Sequence, residues 1–337
     1  MIRVGLAGAL AAAAVALVTA QAPPTFRAGA DLVSIYATVT DRAGRLVTDL
    51  TRDDFEVRDN GRRQPLTVFT NDLQPFSAVV MIDRSGSMAG HFELVREAAA
   101  TFVHHLLAGD RLRIGSFSQD IVISPDTFTS DRDVLLGILR EELQDVGGSP
   151  VWAAIDRSIA ALAAGSGRRV VLIFSDGDDT RSDKGPAPVD LDRLIRRAHE
   201  HDVMVYAIGF NIVETQRMAV PVRPGPLPPI LVPRPFPPGG RRPIAQWGTR
   251  SVTRTITKPP HPGLEKLAGE SGGGYFAMSS SGSLDAIFAR VAEELHRQYW
   301  LGFTPSSRDG KTHRLEVKVR RSGLTVRARR DYVAAER

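Results

Sequence analysis

Apolar and polar residues alternate from Val33 to Thr40, with Val33, Ile35, Ala37 and Val39 on one side and Ser34, Tyr36, Thr38 and Thr40 on the other. That period of two predicts a half-buried strand. Asp41-Arg42-Ala43-Gly44 supplies a turn, and Phe55 and Val57 begin a second alternating run. Asp59-Asn60-Gly61 follows, and Asn-Gly predicts a tight hairpin because both residues tolerate positive φ. Leu66, Val68 and Phe69 bring the chain back. Residues 27–72 are therefore expected to form an N-terminal β module, sandwich-like and completed by strands from elsewhere. Residues 311–333 return to the same pattern. Leu315, Val317 and Val319 alternate, Arg321-Ser322-Gly323 turns, and Leu324, Val326 and Ala328 alternate back. A lone hairpin is too small to be stable, so this C-terminal β-hairpin is expected to pack with the N-terminal module. Its outward Arg and Lys residues read as a solvated face or a charged edge that resists aggregation.

Between these flanks the period changes. Residues 76–305 alternate continuous apolar runs with helical stripes, which predicts an α/β unit with a doubly wound, mainly parallel sheet covered on both faces. The strand candidates are 77–83, 111–118, 169–175, 202–210, 274–278 and 298–304. Helical spacing marks three regions between them. These are Phe92, Val95, Ala99, Phe102 and Leu106; Val151, Ile155, Ile159 and Leu162; and Leu284, Ile287, Phe288, Val291 and Leu295, the last with Ser283 as its N-cap. Residues 211–262 break the alternation. More than half of the prolines fall there, as in Pro224-Gly225-Pro226-Leu227-Pro228-Pro229, together with Arg241, Arg242, Arg250, Arg254 and Lys258. Such a stretch favours extended polyproline conformations over helix or sheet. It is expected to be a long surface insertion, either a loop without a task or a docking arm for an acidic or aromatic-grooved partner.

The candidate chemistry lies at the ends of the apolar runs. Ser77 to Ile82 leads into Asp83-Arg84-Ser85-Gly86-Ser87, an acid and two hydroxyls at alternate positions just past a strand. Val170 to Phe174 leads into Ser175-Asp176-Gly177, and Gly147-Gly148-Ser149-Pro150 precedes a helix. If the two strands are neighbours in a parallel sheet, Asp83, Ser85, Ser87, Ser149 and Asp176 converge on one rim, where open α/β sheets place their ligands. Oxygen donors of this kind suit a hard divalent cation, and Mg²⁺ takes six in near-octahedral geometry. A simpler reading stays open. Ser85 and Ser87 also suit helix capping, and Ser149-Pro150 is a good N-cap and first-turn pair. Asp178 and Asp179 read as solvated loop carboxylates or supporting groups.

This constellation resembles the von Willebrand factor type A domain and its metal-ion-dependent adhesion site. That family shows Asp-x-Ser-x-Ser after its first strand, a Thr in a loop before a later helix, and an Asp after a central strand. Asp83, Ser85 and Ser87 match the first element, Asp176 the last, and Ser149 stands where the family usually has Thr. The flanking Ala30-Asp31-Leu32-Val33, Leu50-Thr51-Arg52-Asp53-Asp54-Phe55 and Tyr299-Trp300-Leu301-Gly302-Phe303-Thr304-Pro305 are similar to those of exported bacterial "VWFA-related" proteins, which join such flanks to a type A domain. The resemblance implies a Rossmann-like fold over 76–305 and a cation, Mg²⁺ with Mn²⁺ or Ca²⁺ as alternatives, that the two aspartates often hold through water. It implies non-catalytic, divalent-dependent recognition or adhesion, in which a protein partner offers an acidic residue to the metal.

Composition narrows the setting. Met1-Ile2-Arg3 and the apolar run Val4–Val18, closed by Val18-Thr19-Ala20, form a signal-peptide pattern over residues 1–20. The run is short for a membrane span and no second apolar segment follows, so the expectation is an exported protein, periplasmic or secreted, without a stable span after cleavage. The chain has no cysteine, so core packing and metal would stabilise it without disulfides. A net charge of +5 over 337 residues is too diffuse to indicate nucleic acid. Two other roles remain open: assembly or scaffolding with a structural metal, and metal-assisted hydrolysis. Hydrolysis needs a general base near the cation. His104 and His105 lie on the first helix and His199 and His201 near the end of another, none following a strand end beside the site.

Overall fold

The computed structural model describes residues 32–141, 147–165, 167–179, 187–222, 248–278 and 284–336. The signal-peptide segment, the capping role of Ser283 and residues 223–247 of the Pro-rich insertion lie outside them. In chain order the strands and helices begin with β1 (Val33–Thr40), β2 (Phe55–Asp59), β3 (Arg62–Gln64), β4 (Val68–Thr70) and β5 (Phe76–Asp83). Next come α1 (Phe92–His104), β6 (Arg111–Phe117), β7 (Ile121–Thr129), α2 (Arg132–Glu141) and α3 (Val151–Ala163). They continue with β8 (Arg168–Ser175), α4 (Leu191–Glu200), β9 (Val203–Phe210), β10 (Ile212–Val222) and β11 (Gly248–Lys258). The chain closes with α5 (Pro262–Ser271), β12 (Tyr275–Met278), α6 (Leu284–His296), β13 (Tyr299–Phe303), β14 (Thr312–Val319), β15 (Thr325–Arg327) and β16 (Asp331–Val333).

Six strands form the central sheet in the order β12-β9-β8-β5-β6-β7. All neighbouring pairs are parallel except β6 and β7. The expected doubly wound sheet is therefore present. Alternate residues of β5 explain its two covered faces. Ala78, Val80 and Ile82 pack on one side with Phe102 of α1, Leu135 of α2 and Phe288 of α6, where Phe174 stacks on Phe288 with centroids 4.3 Å apart. Val79 and Met81 pack on the other with Ile155 of α3, Leu194 of α4 and Leu264 of α5. A strand buried on both sides must be apolar throughout, which is why β5, β8 and β9 read as continuous hydrophobic runs.

The flanks fold together as two four-stranded antiparallel sheets, β15-β1-β13-β4 and β16-β14-β2-β3. Between them lies a core that includes Ile35, Val39, Phe55, Val57, Leu301, Phe303 and Leu315. This is the sandwich-like module expected from the chain ends. Asn60 and Gly61 close the β2–β3 hairpin at φ 47° and 79°, the positive values that a two-residue loop demands.

Four local expectations fail. Residues 298–304 were expected in the parallel sheet, but β13 pairs antiparallel with β1 and β4 in the flank module. Its fully buried run looks like a parallel strand, yet Trp300 stacks on its cross-strand neighbour Tyr36 of β1, with centroids 6.5 Å apart, and Tyr36 packs against the core of the central unit. Within residues 311–333 β14 pairs antiparallel with β16, but Leu315–Val319 and Leu324–Ala328 do not pair with each other as expected. Gly323 turns at φ 77°, but β14 then pairs with β2 and β15 with β1, in opposite sheets. Likewise the return strand after Asn60-Gly61 is β3, whereas Val68 and Phe69 belong to β4 in the other sheet. The Pro-rich insertion is also not wholly extended loop. Its two ends, β10 and β11, pair antiparallel from Ile212↔Lys258 to Val222↔Gly248 as a separate two-stranded ribbon. Within those strands the only proline is Pro221, so the backbone keeps its ladder donors.

Candidate metal centre

The register of the central sheet builds the site. Ile82 of β5 is level with Phe174 of β8, so Asp83 and the Ser175-Asp176 pair leave the sheet side by side on its carboxyl rim. The third segment is held by backbone bonds. Arg84 N–H donates to Phe117 O at 2.9 Å, Gly147 N–H donates to Arg84 O at 3.2 Å, and Ser85 bridges Gly147. Ser149 is thereby brought over Asp83.

All five expected residues meet. Ser149 Oγ donates to Asp83 Oδ2 at 3.0 Å. Ser85 N–H donates to Asp83 Oδ1 at 2.8 Å, and Ser85 Oγ lies 3.1 Å from Ser87 Oγ. Ser87 Oγ donates to Asp176 Oδ2 at 2.5 Å. Asp83, Ser85, Ser149 and Asp176 are buried, and Ser87 is exposed, so the web opens to solvent on the Ser87 side. The capping alternative fails on the same geometry. Ser85 precedes a short 3-10 turn, Gly86–His91, without a side-chain cap bond, and the N-cap of α3 is Pro150. The hydroxyls of Ser85 and Ser149 are spent on the cluster instead.

Burial pushes the Asp83 carboxyl up to about 6, opposed by bonds from Ser175 and Ser85 and assisted by the nearby Asp176 charge. Gly177, at φ 77°, lets the β8 loop turn away beneath His261. A Cβ there would sit 2.8 Å from His261 Cβ and 3.0 Å from its backbone N.

Two neighbours escaped the sequence reading. Ser175 Oγ, fully buried, donates to Asp83 Oδ2 at 2.6 Å and accepts Gly177 N–H at 2.8 Å. Its signal was its place as the last residue of a buried strand beside the acid. His261 follows the Pro259-Pro260 pair, far from the motif in sequence, yet its N–H donates to Asp176 O at 3.1 Å. Its Nδ1 accepts Gly263 N–H at 3.0 Å as the cap of α5. Of the other histidines, His199 Nε2 contacts Glu270 O at 3.0 Å, whereas His91 closes the 3-10 turn that carries Ser87, its ring centroid 5.4 Å from that of Phe210. Asp178 supports the rim, with its N–H on Asp176 Oδ1 at 2.9 Å and its carboxylate 2.8 Å from Lys258 Nζ.

The donor set is two carboxylates and three hydroxyls, all oxygen. Among the described residues no group of three or more His, Cys, Asp or Glu side chains is placed to hold a metal. This chemistry therefore fits a hard cation and not zinc or copper. Adjacent ligands of an octahedral Mg²⁺ lie about 3.0 Å apart, given bonds of about 2.1 Å. The Ser85–Ser87 and Ser149–Asp83 separations, 3.1 and 3.0 Å, are near that spacing, whereas Ser87–Asp176, at 2.5 Å, has the length of a direct short hydrogen bond. No helix of the described residues is long and apolar enough to cross a membrane.

Comparison with solved structures finds similar chains at low identity. The conserved hypothetical protein BatB from Bacteroides thetaiotaomicron is 15% identical, with 65% of this chain and 97% of that one covered at a TM-score of 0.42. A von Willebrand factor type A protein from Catenulispora acidiphila is 13% identical, with 90% and 75% covered at 0.47. The vWF domain of the type V pili tip protein Mfa5 from Porphyromonas gingivalis is 22% identical, with 31% and 38% covered at 0.29. No curated protein matches the chain. Residues 78–220, from β5 into β10, match the family model of the von Willebrand factor type A domain. Over those residues the central α/β unit has the von Willebrand factor type A fold.

Proposed function

We propose that the protein is a non-catalytic recognition protein that binds an acidic residue of a protein partner through a divalent cation. Asp83, Ser85, Ser87, Ser149 and Asp176 would hold the ion, Mg²⁺ by preference, with Mn²⁺ or Ca²⁺ as alternatives. The observation that carries the reading is the single hydrogen-bonded web joining these five side chains from three loops on one rim. Three of the five are neutral hydroxyls, which would leave a bound cation electron-poor and ready to accept a carboxylate. The exposed Ser87 marks the side from which a partner would enter. His261, the imidazole beside the site, spends Nδ1 on its helix cap, which favours recognition over hydrolysis. The signal-peptide pattern of residues 1–20 supports work outside the cytoplasm, in the periplasm or beyond.

The test is thermal melting with magnesium against EDTA, on wild type and Asp83→Ala. A ligand bound only by the folded state adds about 2.7 kcal/mol at a hundredfold excess over its Kd. Wild type should gain stability with magnesium and Asp83→Ala should not. An equal response in both proteins removes the cation assignment. An assembly role with structural metal would instead show Ser85→Ala plus Ser87→Ala losing fold and partner binding together.

A further inference from the structure

Lys258-Pro259-Pro260-His261 carries the chain from β11 to α5 across the carboxyl rim of the central sheet, where His261 N–H donates to Asp176 O at 3.1 Å. Glycines from three parts of the fold make room for it. Gly177, after β8, already yields to His261 Cβ. A Cβ at Gly209, near the end of β9, would lie 2.9 Å from Pro260 Cβ and Cγ. One at Gly263, in the first turn of α5, would lie 2.8 Å from both His261 Nδ1 and Trp152 Cη2. A side chain at any of these positions would push the segment off the rim, so only glycine permits so close an approach.

The imidazole seated in this way is fixed on two sides. Its Nδ1 accepts Gly263 N–H at 3.0 Å as the cap of α5. Its ring meets that of Trp152 at 72°, with centroids 5.5 Å apart. Trp152 is buried in α3, three residues after Ser149. The residue therefore touches the segments that carry two of the five site residues, Ser149 and Asp176, and yet is itself exposed.

The cap also settles which nitrogen carries the proton. A neutral imidazole has one donor and one acceptor nitrogen, and the bond made by one decides the state of the other. Because Nδ1 offers its lone pair to Gly263 N–H, the proton sits on Nε2. Asp, Asn, Ser and Thr are the favoured helix caps. What histidine adds is a rigid ring that carries a donor beyond the cap.

We propose that His261 is a specificity-determining residue of the metal centre, its Nε2–H donating to the partner's acidic side chain beside the cation. The proposal rests on the function given above and adds a second grip on the same carboxylate. A carboxylate has two acceptor oxygens, so one can serve the ion and the other the ring. A hydrogen bond to an ionised acceptor is about twice as strong as one to a neutral acceptor, so the ring favours Glu or Asp over an amide. Lys258, the cation of this segment, is held by Asp178 at 2.8 Å and leaves that contact to His261.

The experiment uses the full chain and a fluorescent oligoglutamate peptide, read by anisotropy in magnesium and in EDTA. Wild type should bind the peptide in magnesium and lose it in EDTA. His261→Asn keeps a good cap and removes the ring, so it should melt with wild type, keep the magnesium response and bind the peptide roughly tenfold more weakly. Ring-nitrogen NMR on wild type at alkaline pH should show the proton on Nε2. That resonance should shift when peptide is added in magnesium and stay in place in EDTA, a readout that holds even if His261→Asn does not fold. Unchanged peptide affinity in folded His261→Asn, a proton on Nδ1, or an Nε2 resonance that ignores bound peptide overturns the role of His261 and leaves the cation reading standing. Wild type that binds no peptide in magnesium, or binds it equally in EDTA, overturns the cation reading and the role of His261 with it.

Discussion

Ser175→Ala separates what orients the site from what would hold an ion. In the wild type the Ser175 hydroxyl makes two buried bonds, one to Asp83 Oδ2 at 2.6 Å and one from Gly177 N–H at 2.8 Å. Its removal leaves a buried amide without an acceptor, at about 1–3 kcal/mol, and strips a charge-assisted bond from Asp83, at about 1.5–3 kcal/mol. Because Ser149 and the Ser85 amide still serve Asp83, the lower part of that range applies. The expected loss is about 3 kcal/mol, or roughly 6–10 °C in melting temperature. Ser149→Ala removes one bond to Asp83 and orphans no second group, so it should cost about 1–2 kcal/mol. Ser87→Ala, at an exposed position, should cost less than about 1 kcal/mol. The order reverses for the cation. Ser87→Ala and Ser149→Ala each remove a proposed ligand and should lose most of the stabilisation by magnesium, while Ser175→Ala should keep it. Melting curves in EDTA and in magnesium read both orders. If Ser175→Ala melts with wild type in EDTA, or Ser87→Ala responds to magnesium as wild type does, the reasoning from these contacts is wrong.

Other positions test the scaffold. Gly273→Ala would put a Cβ 2.0 Å from Val205 O, against backbone that cannot yield, and should cost about 3 kcal/mol by denaturant midpoint. Phe288→Ala deletes the fully buried ring stacked on Phe174, and should cost about 3–5 kcal/mol in the same assay. Glu294 accepts Thr38 Oγ1 at 3.1 Å, Tyr206 OH at 2.7 Å and the Arg327 guanidinium at the junction of the flank module and the central unit. Glu294→Gln should lower the midpoint by about 2 kcal/mol, discounted because Arg327 is one-third exposed. An unchanged midpoint would show that this junction contributes little.

The sequence was most legible where burial and motif agree. β5 and β8 are apolar throughout because both faces are covered, and the acids at their ends fall on one rim once the strands are adjacent. β1 and the Asn60-Gly61 hairpin declare themselves through local chemistry alone. β7 went unread because it is an antiparallel edge strand with no fully buried residue. β13 was placed in the wrong sheet because Tyr299-Trp300-Leu301-Gly302-Phe303 is apolar for a long-range reason, its pairing with residues 33–37. β14 and β15 look like a hairpin because pattern and turn are both present; only competition from β2 and β1 separates them. At the site, Ser175 and His261 were missed because each acts through a neighbour in space. The ribbon was hidden because proline was averaged over 211–262, although only Pro221 lies within its strands.

The place of β1 between β15 and β13 has a consequence for how the polypeptide is made. Thr38 pairs with Arg327 and Val33 with Phe303, so β1 waits for β15 and β13, which are made long after it. Such distant pairings slow folding, and until they form β1 presents two open ladders to any other chain nearby. The central parallel sheet can gather its strands earlier, whereas the flank module closes only after β13 and β15 have been made. Truncation just before Thr325 would therefore leave the opposite end of the molecule sticky, and aggregation would begin at the amino-terminal strand.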